Sequence, residues 1–127
     1  MRFTVLATFA ALIAYTWFLI KVARARKQYG IAAPKTSGDE NFERIFRVQQ
    51  NTVEQLVLFL PSLWLFGTYV SDPLAGILGL CWTGARALYA SQYYEDASKR
   101  GPGAALTFLI SILLLIGGTI GALLKTG

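Results

Sequence analysis

Charged and hydrogen-bonding side chains recur at helical spacing in a chain that otherwise avoids them. Arg47, Asn51 and Glu54 fall at i, i+4 and i+7, which puts them on one face of a helix. Arg86, Tyr89, Tyr93 and Arg100 fall at i, i+3, i+7 and i+14, a second stripe of the same kind. Glu54 stands just before the apolar run 56–60, and Arg86 is the only charge between residues 73 and 94. An arginine at the centre of a membrane helix costs about 2.5–3.5 kcal/mol on insertion scales, so such residues face a bundle interior or a wet cavity. Two converging stripes rich in arginine and hydrogen-bonding groups make a pocket for a small polyanionic ligand, open sideways to lipid. A plainer arrangement of the same residues has Glu54 neutralising Arg47 or Arg86. In it, interfacial arginines snorkel, and Tyr89, Tyr93 and Tyr94 form an aromatic belt.

Composition removes several other chemistries. There is no histidine, which excludes His-based zinc sites, His-ligated haem and Ser-His-Asp triads. The single cysteine, Cys81, excludes a disulfide framework and, in an apolar stretch before Trp82, reads as an inert core thiol. The net charge of +5 is dispersed, with no basic run long or interleaved enough to argue for nucleic acid.

The elements that must position the stripes are membrane helices. Of 127 residues, 54% are hydrophobic and 15% charged, and mean hydropathy is +0.47. So small a soluble globule would need more polar surface. Residues 3–20, 55–71 and 101–124 carry no charge, and a span needs about 20 mostly apolar residues. Lipid offers no partners for free backbone groups, so the spans are helical. The chain reads as a single all-α domain over 1–127, an integral-membrane four-helix bundle with helices near 3–28, 41–70, 74–97 and 102–125. Asp39 or Asn41 is the expected N-cap of the second helix, and Ser71-Asp72-Pro73 is a tight turn into the third. Pro61 is expected to kink the second helix. Gly117, Gly118 and Gly121 suit close helix contact, more plainly within one chain than between chains. The first span exceeds a signal-peptide core and its basic cluster follows it, so it is expected to be retained.

Charge asymmetry orients the bundle. The first connection and its flanks hold Lys21, Arg24, Arg26, Lys27, Lys35, Arg44 and Arg47, and the third holds Lys99 and Arg100. By the positive-inside rule both lie in the cytoplasm and the termini lie outside, an up-down topology with the polar stripes near the cytoplasmic face.

Residues 42–54, Phe-Glu-Arg-Ile-Phe-Arg-Val-Gln-Gln-Asn-Thr-Val-Glu, resemble the helix-2 signature of the MAPEG family (membrane-associated proteins in eicosanoid and glutathione metabolism). The likeness continues through Ala85-Arg86-Ala87-Leu88-Tyr89 and Tyr93, and the Leu-Phe-Leu-Pro-Ser-Leu-Trp-Leu-Phe continuation is similar to bacterial members. The resemblance implies a homotrimer with glutathione, the co-substrate, held between adjacent subunits, and no metal. It implies a membrane glutathione transferase that conjugates hydrophobic, lipid-borne electrophiles, with reduction of lipid hydroperoxides as a second activity. The location it implies is the bacterial inner membrane. By position, Arg47 matches an arginine that pairs with a glutathione carboxylate, and Asn51 and Glu54 match holders of the peptide backbone and the γ-glutamyl ammonium. Arg26 matches a basic residue that reaches glutathione from helix 1. Tyr89 and Tyr93 match tyrosines at the peptide, Arg86 a nearby structural or ligand-facing arginine, and Arg100 the catalytic arginine at the thiolate. Gln55 and Lys27 depart from the pattern, standing where a ligand tyrosine and a second arginine occur.

The chemistry implied needs a thiolate. A thiol near pKa 8.5 is only about 3% ionised at pH 7, and lowering that value by ~2 units takes about 2.7 kcal/mol. A guanidinium ~4 Å away offers roughly 4 kcal/mol at an effective dielectric near 20. One arginine therefore suffices. A non-catalytic lipid- or glutathione-binding scaffold of the same fold is the alternative, disfavoured by the kept charges. A channel or transporter lacks the expected repeat.

Overall fold

The computed structural model describes residues 1–126 and is all-helical there. Helix α1 spans Arg2–Tyr29, α2 Glu40–Tyr69, α3 Asp72–Glu95 and α4 Gly101–Thr126, with a single 3-10 turn, Ala97–Arg100, before α4. Each boundary has a local cause. Gly30 takes the left-handed conformation (φ 68°) that closes α1 and returns its N–H to the Arg26 carbonyl. Asp39 is the cap of α2, accepting from the backbone N–H groups of Asn41 and Phe42 at 2.9 and 3.1 Å. Ser71 caps α3 through the Leu74 N–H. Helix α2 continues through Pro61 to Tyr69.

The third helix ends earlier than its pattern suggests. Asp96 is extended (φ −159°, ψ 121°), and its carboxylate accepts from the N–H and hydroxyl of Ser98, starting a separate turn. Arg100 therefore leaves the continuous α3 stripe and is placed by the turn. An aspartate that can cap a new turn competes with helix continuation.

Three apolar clusters hold the helices. The largest joins Ala7 and Ala11 of α1, Leu56, Phe59 and Leu63 of α2, Trp82 of α3 and Leu114 of α4, with Phe59 stacked on Trp82 at 4.1 Å. A second packs Phe18, Val48, Tyr89, Ala90 and Tyr93 under the polar stripes. A third, Val22, Ala25, Ile31 and Phe42, closes the first connection. Gly118 lies against the Phe66 backbone, where an added Cβ would come within 2.7 Å, and Gly117 and Gly121 meet Phe66 and Val70. The glycine triplet thus packs within the chain, α4 on α2.

Much of the surface along the helices is apolar, and Cys81, expected in the core, is exposed there. Phe9, Val57, Leu123 and Leu124 are all more than 60% exposed. Helix α1 and the segment Ala97–Lys125 are long and apolar enough to cross a membrane, and most of each apolar window is not buried inside the chain. Core helices of soluble proteins have the opposite distribution.

At the far end from the stripes, Asp72 joins α3 to α1. Its carboxylate accepts from the N–H groups of Phe3 and Thr4 at 3.2 and 2.8 Å and from the Thr4 hydroxyl at 2.7 Å. These are first-turn donors of α1 that have no intrahelical partner. Asp72→Ala is expected to lower the melting temperature in detergent by several degrees; an unchanged melt would mean that water replaces the carboxylate without loss.

Candidate functional site

The polar stripes of α2 and α3 meet at a cavity of about 170 Å³. Asn51, Glu54 and Gln55 line it from α2, Arg86 and Tyr89 from α3, and Arg100 and Ala104 from the 3-10 turn and α4. Three levels of the fold set this geometry. The i, i+4, i+7 spacing aligns the α2 residues. Gly103 lets α4 lie directly on the Tyr89 backbone, where an added Cβ would fall 2.7 Å from its Cα. The turn opened by Asp96 then brings Arg100 to the mouth, where its guanidinium donates to the Ala97 carbonyl at 3.1 Å and lies 5.8 Å from the Tyr93 ring. The N–H and hydroxyl of Ser98 hold the Asp96 carboxyl below the ordinary carboxylate range.

Arg86 is the floor, 1% exposed. It donates to the hydroxyls of Thr52 at 2.9 Å and Thr107 at 3.4 Å, and its guanidinium lies 4.0 Å from the Tyr89 ring centroid. Its Nε–H is buried with no acceptor. Among the described residues the only ion pairs are Lys99–Glu95 and the Met1 amine–Asp72 contact. No carboxylate compensates Arg86. Burying a charge this way normally costs several kcal/mol. The plainer arrangement, in which Glu54 cancels Arg47 or Arg86, is therefore absent: Glu54 pairs with neither. Above the floor, Asn51 Nδ2 donates to the Tyr89 hydroxyl at 2.6 Å. The buried Gln55 Oε1 accepts from nothing.

Five of the eight residues singled out in the sequence, Asn51, Glu54, Arg86, Tyr89 and Arg100, share this cavity. Arg47 and Tyr93 line a neighbouring one of about 350 Å³ with Glu40, Glu43 and Arg44. Tyr93 stands between the two, since it also lies against Arg100. Arg26 is in neither. Its guanidinium donates to the Lys35 carbonyl at 2.7 Å and lies 5.2 Å from the Phe42 ring centroid, bracing the first connection. Sequence reasoning missed Thr52 and Thr107, which hold Arg86. Thr52 sits inside the α2 signature and faces away from its charged stripe, while Thr107 lies in an uncharged run with nothing to mark it.

Comparison with known proteins identifies the family. Residues 4–120 match the MAPEG family. The chain is 48% identical over 118 residues to an uncharacterised protein of Synechocystis sp., covering 93% of this chain and 86% of the relative. It is 39% identical over 108 residues to microsomal glutathione S-transferase 2 of Bos taurus, covering 85% and 74% respectively. It is 32% identical over 116 residues to leukotriene C4 synthase of Cavia porcellus, covering 91% and 77%. The matched span takes in both polar stripes and the turn that carries Arg100, and on that evidence the chain belongs to the MAPEG family.

Proposed function

We propose that this protein is a membrane-bound glutathione transferase that joins the glutathione thiolate to hydrophobic electrophiles and also reduces lipid hydroperoxides. The single observation that carries the reading is the uncompensated Arg86 at the floor of a cavity that also holds Arg100 and an unpaired Glu54. Glutathione brings two carboxylates and one ammonium, the charges such a cavity lacks. Guanidinium groups suit its carboxylates because their fork binds bidentately. In this reading Arg100 holds the thiolate, Asn51, Glu54, Arg86 and Tyr89 surround the peptide, and Arg47 and Tyr93 extend the site outward. The relatives named above support the glutathione chemistry.

The cavity within one chain is smaller than the ~300–1,000 Å³ of typical ligand sites. This favours a site completed by a second copy, in keeping with a homotrimer of four-span, up-down subunits in the bacterial inner membrane. Arg47, Glu54, Val57, Pro61 and Trp64 are exposed along one face of α2, which gives such a contact its surface. In that assembly Arg26 would serve a neighbouring copy's ligand, because it does not face the cavity of its own chain. Hydrophobic co-substrates would arrive through the bilayer, with the site near the cytoplasmic face and the termini outside.

Calorimetric titration of the detergent-solubilised protein with glutathione tests the site. Glu54→Ala is expected to weaken binding about tenfold, near 1.4 kcal/mol. Equal affinity in the two proteins would remove the site from this cavity.

A further inference from the structure

We propose that Tyr89 is the proton donor to the departing oxygen when this site reduces a hydroperoxide, and that Asn51 is the positioning residue that aims it. This rests on glutathione occupying the cavity.

The amide nitrogen of Asn51 can only donate, so the Tyr89 hydroxyl oxygen must accept at their 2.6 Å contact. The tyrosine's own proton is thereby turned elsewhere, and it meets no acceptor among the described residues. Tyr89 lines the cavity and is 2% exposed, so the proton is directed at a bound molecule more readily than at bulk water. Its ring is held below by the Arg86 guanidinium at 4.0 Å and its backbone by the close approach of Gly103.

Elimination among the lining residues leads to the same atom. Arginine side chains do not serve as proton donors to an alkoxide in proteins, which sets aside Arg86 and Arg100. The amides of Asn51 and Gln55 are not acids, Ala104 has no polar group, and Glu54 is exposed to solvent rather than enclosed with the ligand. Of the residues lining this cavity, Tyr89 alone can both donate a hydrogen bond and give up the proton, Tyr93 lying in the neighbouring one. A phenol is several units more acidic than an alcohol, so transfer to a nascent alkoxide runs downhill.

The step balances. The glutathione thiolate attacks the terminal oxygen of the hydroperoxide, forming the S–O bond as the O–O bond breaks. The electron pair leaves on the alkoxy oxygen, which takes the Tyr89 proton and departs as the alcohol, and solvent reprotonates the phenolate. Sulfur is oxidised to the sulfenic acid and the peroxide is reduced. A second glutathione then attacks the sulfenic sulfur, giving the disulfide and water. Conjugation to a chloroarene needs no such donor, because chloride leaves unprotonated.

That difference supplies the test. Full-length wild-type protein, Tyr89→Phe and Asn51→Leu are assayed with glutathione against an alkyl hydroperoxide and against a chlorodinitrobenzene. General acids contribute about 10²–10⁴-fold, so Tyr89→Phe should lower the ratio of hydroperoxide to chloroarene turnover about 100-fold. Asn51→Leu, which frees the hydroxyl to rotate, should lower that ratio in the same direction by about tenfold. Equal losses on both substrates would make Tyr89 a structural or binding residue and overturn the proposal, as would an unchanged ratio. Wild-type protein that conjugates the chloroarene but leaves hydroperoxide intact would overturn it too. Wild-type protein that turns over neither substrate and binds no glutathione would instead fail the underlying reading, and calorimetry distinguishes the two failures.

Discussion

Arg86→Met is expected to raise the melting temperature of the purified protein while removing its hold on glutathione. The two effects pull apart because the native arginine is a burden to the fold. It is 1% exposed, has no carboxylate partner and leaves its Nε–H unsatisfied. Its contacts with the Tyr89 and Trp82 rings, at 4.0 and 6.0 Å, return about 0.5–2 kcal/mol. Desolvation of the charge costs several kcal/mol. Methionine fills a similar volume and strands no donor. The Thr52 hydroxyl already donates to the Val48 carbonyl at 2.7 Å, and that of Thr107 to the Gly103 and Ala104 carbonyls at 3.1 and 3.0 Å. Replacing buried ion pairs by apolar side chains of similar volume gains up to about 1–4 kcal/mol, and a gain in that range is expected here, where the charge has no ion partner to lose. Thermal denaturation in detergent reads the first effect and calorimetry with glutathione the second, where affinity should fall at least tenfold, about 1.4 kcal/mol. A destabilised variant that still binds would make Arg86 a structural element and remove the main support for the site.

Arg100→Ala is expected to abolish the thiolate while sparing most of the binding energy. The guanidinium at the cavity mouth is asked for about 2.7 kcal/mol of preference for the anion, which is ~2 pKa units on a bound thiol. Without it, conjugation at pH 7 should drop by about 25-fold, and most of the lost rate should return as pH rises toward ~8.5, where an ordinary thiol ionises unaided. Ultraviolet absorption of the bound thiolate, followed against pH, measures the effect directly. An unchanged conjugation rate and thiolate titration would falsify the assignment of Arg100.

Much of this arrangement is legible in the sequence because its causes are local. The uncharged runs delimit four helices to within about two residues, and Gly30, Asp39 and Ser71 terminate or cap them through their own conformations and side chains. Helical spacing also assembles Asn51, Glu54, Arg86 and Tyr89, since each stripe is a property of one helix. What spacing does not carry is the relation between helices. Thr107 reaches Arg86 only because α4 packs on α3, and Arg26 turns back to Lys35 because the first connection folds beneath it. Arg100 shows the limit most clearly. A helical count places it on the α3 face, but Asp96 begins a new turn through Ser98, and that turn brings the guanidinium to the same cavity by another route.

That turn sets Arg100 apart from the long helices. The other cavity residues of α2 and α3 are fixed in those helices, whereas Arg100 rides on four residues, Ala97–Arg100, outside them. Lengthening or shortening this short segment would retune reactivity without repacking the bilayer-embedded body. A bundle built this way can change the chemistry of its cavity through a connector while its helix packing stays as it is.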